Sequence, residues 1–211
     1  MRKLFIRFVN NWFDISVYMA GLVALLAIFL PLPLVQKMLL ALTSVLFLHF
    51  FEEFGSPGGF PYMGVKLLLG SDEKDSSKWG ANNLCSVYGN WLALLLMYVL
   101  PLCLPSIRVL TLSAMMFSLL ELVMHTMFSI RLKQWYNPGL ITAAFGLAPV
   151  AIYYFLTEFD ASVFAWYDYV LAILWFALVF WLCFRSPLYW YLGKKADYPF
   201  TEKSAFGLFE K

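Results

Sequence analysis

Along most of this chain the apolar residues neither alternate nor recur every three or four positions; they run. Stretches of mainly apolar residues cover 14–32, 34–54, 84–104, 106–130, 138–157 and 163–184. Each is long enough to cross the hydrocarbon core of a bilayer, which takes about 20 residues at ~1.5 Å rise each. Pro31 and Pro33 part the first two, Pro101 and Pro105 part the third and fourth, and Pro138 stands where the fifth opens, a place where its missing N–H is harmless. The pattern predicts an all-α polytopic transmembrane helical bundle of six spans.

The start, M-R-K-L-F-I-R-F-V-N-N-W-F, is patterned differently. It is basic, but no small-residue cleavage site precedes the first apolar run, so it does not read as a signal peptide. With Arg2, Lys3 and Arg7 toward headgroups and Phe5, Phe8 and Trp12 toward acyl chains, it predicts an amphipathic interfacial helix over 1–13. The only long connection, 55–83, begins G-S-P-G-G-F-P and continues S-D-E-K-D-S-S-K, which predicts a structured beginning and a solvated end. With no internal repeat, the chain reads as one membrane domain over 1–211: the interfacial helix, a bundle over 14–184 and a cytoplasmic tail over 185–211.

Composition agrees. Hydrophobic residues make up 62% of the chain and charged ones 13%, against about 25% charged in soluble domains. A net charge of +2 gives nucleic acid nothing to bind. Cys85, Cys103 and Cys183 lie in apolar runs without paired spacing and read as small core residues. The cations fix an orientation. If both termini are cytoplasmic, 13 of the 15 basic residues, from Arg2 to Lys211, fall inside, and only Lys37 and Arg108 fall outside.

Ionisable groups inside a span are expensive and each needs a partner or a task. His49, Glu52 and Glu53 stand at i, i+3 and i+4 at the end of the second span, and Glu121 and His125 at i, i+4 in the fourth, so each set shares a helix face. Both spans run toward the side that holds the termini, which brings the five residues to one end of the bilayer. Asn82, Asn83 and Asn90 at the same end of the third span, and Tyr136 and Asn137 before the fifth, are placed to complete the site as hydrogen-bond partners or substrate contacts. Asp14 and Asp168 lie apart and read as solvated or interfacial.

The run H-F-F-E-E-F-G-S-P-G-G-F-P from His49 to Pro61, followed by H-T-M-F-S-I-R-L-K-Q-W-Y-N-P-G-L-I-T-A from His125 to Ala143, resembles the HXXEE-motif family of integral membrane proteins over roughly residues 40 to 150. The resemblance implies a multi-pass membrane protein suspected of enzymatic activity, with no established substrate. It carries the motif histidine and glutamates onto His49, Glu52 and Glu53 and the second histidine onto His125. Where members often have asparagine upstream of that histidine, this chain has Glu121.

Imidazole nitrogen and carboxylate oxygen are ligands for a divalent metal ion, zinc first, with iron or manganese as alternatives. Three ligands and an open position, with a further carboxylate as general base, make a hydrolytic zinc site. In that reading His49, one of Glu52 and Glu53, and His125 hold the ion, and the other motif glutamate activates water. A di-iron oxidoreductase acting on a lipid is the alternative, although Glu-x-x-His is not repeated here. Further options are a metal-free glutamate pair, a cation or proton transporter or sensor, and a buried network that only fixes helix packing. Gly55, Gly58 and Gly59 let the loop fold back over the site, with Phe50, Phe54 and Phe60 at a greasy entrance. That arrangement suits a lipid-like substrate arriving through the membrane. Oligomeric state is not legible.

Overall fold

The computed structural model describes residues 2–209. In chain order its helices are α1 (Arg2–Asn10), α2 (Trp12–Phe29), α3 (Leu34–Phe54), α4 (Phe60–Leu68), α5 (Asn83–Cys103), α6 (Arg108–Leu132), α7 (Leu140–Thr157), α8 (Trp166–Phe184), α9 (Pro187–Gly193) and α10 (Glu202–Phe206). No strand occurs among the described residues. Helices α2, α3, α5, α6, α7 and α8 are the six apolar runs of the sequence, so the protein is an all-α, multi-pass membrane bundle.

Local chemistry sets the helix ends. Leu30 to Pro33 break α2 from α3, and α7 starts at Leu140, two residues after Pro138, because Gly139 occupies the left-handed region there. Helices α5 and α7 each contain a π-helical turn, Leu95–Val99 and Ala143–Leu147. A proline, Pro101 or Pro149, stands two residues after each turn. Proline has no N–H for the carbonyl four residues back and its ring crowds that carbonyl, which for both prolines lies inside the π turn.

Helix α3 is the hub, packed against α2, α4, α5, α6 and α7. In its apolar window 56% of the residues are buried, against 28% in α2 and 22% in α8, whose outward faces of Leu22, Leu25, Leu171 and Leu174 are left for lipid. Helix α1 forms as expected, but its aromatic residues do not all face acyl chains. Trp12 opens α2 and is fully buried, 5.5 Å from Phe50 and 4.9 Å from Phe54 between ring centroids, while Phe8 packs on Trp91. The turn at Asn11 swings the indole inward, into the gap between α2 and α3.

The connection 55–83 has the predicted halves: α4 first, then a charged stretch around Asp75. The segment after α8 is folded onto the bundle. The Asn82 amide donates to the carbonyls of Leu192, Gly193 and Lys195, Asn83 donates to Pro199, and Arg2 pairs with Asp197 at 2.7 Å. The Gly59 N–H reaches the Ser204 carbonyl and the Leu208 N–H reaches Gly58. Gly59 has φ 100°, and a Cβ there would meet the Phe206 carbonyl, so only glycine permits this clasp. Asp168 stands at the far end of α8 as expected but is not solvated: it is buried, accepts the N–H of Ala165, which precedes the helix, and pairs with Arg108 at 3.5 Å. Asp14 is exposed.

Helix direction alternates through the six spans, so the ends of α3, α6 and α8 share the side of the termini. Among the described residues twelve cations lie at that end and two, Lys37 and Arg108, at the other. Lys211, also counted with the first group, lies outside the described residues.

Candidate metal centre

His49 and Glu53 lie on one face of α3, and Glu121 and His125 on one face of α6, with the two histidines about 8–11 Å short of the helix ends at 1.5 Å per residue. The two imidazole centroids are 5.0 Å apart and nearly perpendicular. Nε2 of His49 is 3.5 Å from Oε1 of Glu53 and 3.8 Å from Oε2 of Glu121; Nε2 of His125 is 3.6 Å and 3.8 Å from the same two atoms. These spacings exceed the ~2.7–3.2 Å of a hydrogen bond. They are close to the edges of a tetrahedron whose centre is about 2.0–2.2 Å from each corner. His49, Glu53 and His125 form a group with ligand atoms within 4.8 Å of one another, each buried, and could hold a metal ion.

The far sides of the rings fix which nitrogen faces the centre. The Asn137 amide donates to the His125 carbonyl at 2.7 Å and to Ser129 Oγ at 2.8 Å, so its Oδ1 accepts from His125 Nδ1, also at 2.7 Å. The Thr142 hydroxyl gives its proton to Glu52 Oε2 at 2.6 Å and so accepts from His49 Nδ1 at 2.8 Å. Both Nδ1 atoms are therefore donors, and both Nε2 atoms turn lone pairs toward two carboxylates, the orientation that imidazole ligands with outer partners adopt. Gly139 makes room for this: its φ is 102°, and a Cβ there would collide with the His125 ring.

Glu52, expected as ligand or base, faces α7 instead. Its Oε1 accepts the Ile141 N–H and the Tyr136 hydroxyl, and its Oε2 accepts the Thr142 N–H and hydroxyl. Four donors fill the acceptor capacity of one carboxylate. The two amides belong to the first turn of α7, whose N–H groups lack helical partners and whose dipole favours a negative charge. Glu52 is thus a cap supplied by another helix, and Thr142 couples it to His49. At Tyr136, burial and then the neighbouring Glu52 charge push the phenol above its ordinary range.

Beside the centre lies a cavity of about 220 Å³, lined by His49 and Glu53 of α3, by Phe117, Glu121 and His125 of α6, and by Phe176 and Phe180 of α8. Of the hydrogen-bonding residues expected, Asn137 and Tyr136 join the network and Asn90 lines the cavity, bonded to the Ser86 carbonyl. Asn83 serves the clasp of the C-terminal segment and not the centre. Phe50, Phe54 and Phe60 line the cavity as expected. Thr142, Ser129 and Gly139 were not singled out by sequence reasoning. The available signal was Y-N-P-G-L-I-T itself, a glycine-opened helix start able to take a carboxylate and pass a hydroxyl to a histidine.

A multi-pass helical membrane protein with two histidines and two glutamates gathered at one end of its bundle is the class that fold and site define. Within it, the chain belongs to the family of proteins of unknown function with the HXXEE motif, which matches residues 40–154 and so takes in every residue of the centre. No curated protein and no solved structure matches the chain.

Proposed function

We propose that this protein is a metal-dependent membrane hydrolase that works in the cytoplasmic half of the bilayer on a lipid-like substrate. The observation that carries the reading is the convergence of two Nε2 lone pairs and two carboxylates at 3.5–3.8 Å, with both Nδ1 atoms already committed to Asn137 and Thr142. Without a metal ion, or a proton on a carboxyl group, that arrangement sets lone pair against lone pair in a low-dielectric interior. His49, His125 and Glu53 would hold the ion, and zinc suits two imidazoles and a carboxylate. A bound divalent ion supplies Lewis acidity there and offsets the carboxylate charge. Glu121, with 21% of its side chain accessible and a place on the cavity wall, is the group positioned to take a proton from water at Oε2. The excess of cations at the end of the bundle that carries the centre supports a cytoplasmic location.

Two imidazoles and one carboxylate are also the ligand set of non-haem iron oxygenases, and an apolar cavity beside the centre favours that chemistry on an alkyl chain. One measurement separates the readings. Elemental analysis of protein purified without chelator should find about one zinc per chain, lost in His49→Ala. Iron in its place moves the reaction from hydrolysis to oxidation. Wild-type protein free of metal overturns the proposal.

A further inference from the structure

The cavity beside the centre has a second chemical feature at its mouth. Arg185 follows the last turn of α8 and lines the same cavity as His49 and His125. It is the only cation among the lining residues, and the two carboxylates there, Glu53 and Glu121, face the histidines. The guanidinium forms no ion pair and no hydrogen bond among the described residues; it lies over the Phe180 ring, 5.9 Å from its centroid, and near Tyr189. Its planar fork of donors matches carboxylate and phosphate oxygens.

From Arg185 the wall descends α8 through Phe184 and Phe180 to Phe176, about 13 Å lower at ~1.5 Å per residue, and is closed opposite by Phe117 and Leu120 of α6. The volume of about 220 Å³ is below the roughly 300–1,000 Å³ of pockets for drug-sized ligands, so it admits a slender chain and not a two-tailed lipid. Leu120 and Phe180 line the cavity yet are 36% and 37% exposed, which gives the slot an opening between α6 and α8 toward lipid.

We propose that this slot binds a single-chain amphiphile with an anionic head, its acid group on Arg185 and its chain along Phe180, Phe176 and Phe117 past the histidines. That this molecule is the substrate rests on the enzymatic reading above; that it binds does not. A phosphate and a carboxylate head share the required chemistry, and the test tells them apart. Full-length protein in uncharged detergent is titrated with dodecyl phosphate, dodecanoate and dodecanol. We expect saturable binding of one molecule per chain, with at least one anion held about 10-fold or more tighter than the alcohol; the tighter anion identifies the head. Arg185→Gln should bring the anions to the level of the alcohol. Ala93→Phe, which fills the cavity from α5, should weaken all three and keep the anion preference. An anion preference that survives Arg185→Gln, or a folded wild type without saturable binding, overturns the inference. His49→Ala protein that has lost metal but keeps the anion preference supports the site by itself, whereas metal-loaded wild type with no anion preference sinks this inference and leaves the enzymatic reading standing.

Discussion

At the end of the bundle that carries the termini, ionisable side chains sit below the surface and are tied to one another across α3, α6 and α7, whereas at the opposite end most polar groups are satisfied within a turn of their own chain. There Asp160 accepts from Ser162, Asp168 from Ala165, and the Thr157 hydroxyl bonds the Tyr153 carbonyl. Among the described residues in that half, Arg108 with Asp168, Gln36 with Leu102 and, deeper, Tyr98 with Ser118 reach between spans. A polar group that needs nothing more than a partner can find one locally, near water. A network spread over three helices in a low dielectric is costly wherever one partner fails, so it marks the end where burial serves chemistry.

The contrast is sharpest within one residue step. Glu52→Gln leaves the N–H groups of Ile141 and Thr142 facing an amide that cannot accept from all of them, and should destabilise the protein by about 2–3 kcal/mol while metal content stays at the wild-type level. Glu53→Gln should do the reverse. Metal content falls away, and stability measured with chelator present is unchanged or higher, since the contacts of Glu53 with the two histidines, at 3.5 and 3.6 Å, are too long to be hydrogen bonds whose loss would cost stability. Melting in detergent with and without chelator, alongside elemental analysis, reads both. Identical behaviour of the two variants would erase the division of labour.

A smaller effect is expected one step outward. Asn137→Ala removes the acceptor that holds His125 Nδ1 and should weaken metal binding about 10–100-fold without abolishing it. Competition with a metal-sensitive dye measures the shift. Unaltered affinity would show that the ring is oriented by packing against Phe60 and Phe128 alone.

The spans were legible because lipid imposes one rule on every residue of a crossing helix, and α3 begins and ends where the run of apolar residues does. Spacing also placed His49 beside Glu53 and Glu121 beside His125. It did not separate Glu52 from Glu53. Both follow His49 on roughly one face, and the difference of about 100° between neighbours acquires meaning only once α7 stands on one side and α6 on the other. Nor did hydropathy show that Trp12 turns inward or that the last segment clasps Gly58 and Gly59, since tertiary contacts between an aromatic or backbone group and a distant loop leave no periodic trace.

The least effect belongs to the far end, at Asp160. Its carboxylate is held below the usual range by the Ser162 hydroxyl first and the Ser162 N–H second. A folded-state value below the unfolded value of about 3.9 means that the ionised form is the one folding prefers, so the contribution is present above that pH and is lost as pH falls through the folded value. Asp160→Asn should therefore melt slightly below wild type at pH 7, and the gap should close as the pH is lowered through about 4 and below. Paired melting curves across that range test it. Because Asp160 is fully exposed and bonded only to its own turn, the gap must stay well below that of Glu52→Gln at every pH. A gap of equal size would mean that the far end also depends on its polar groups for more than local satisfaction, and the two ends would no longer be different in kind.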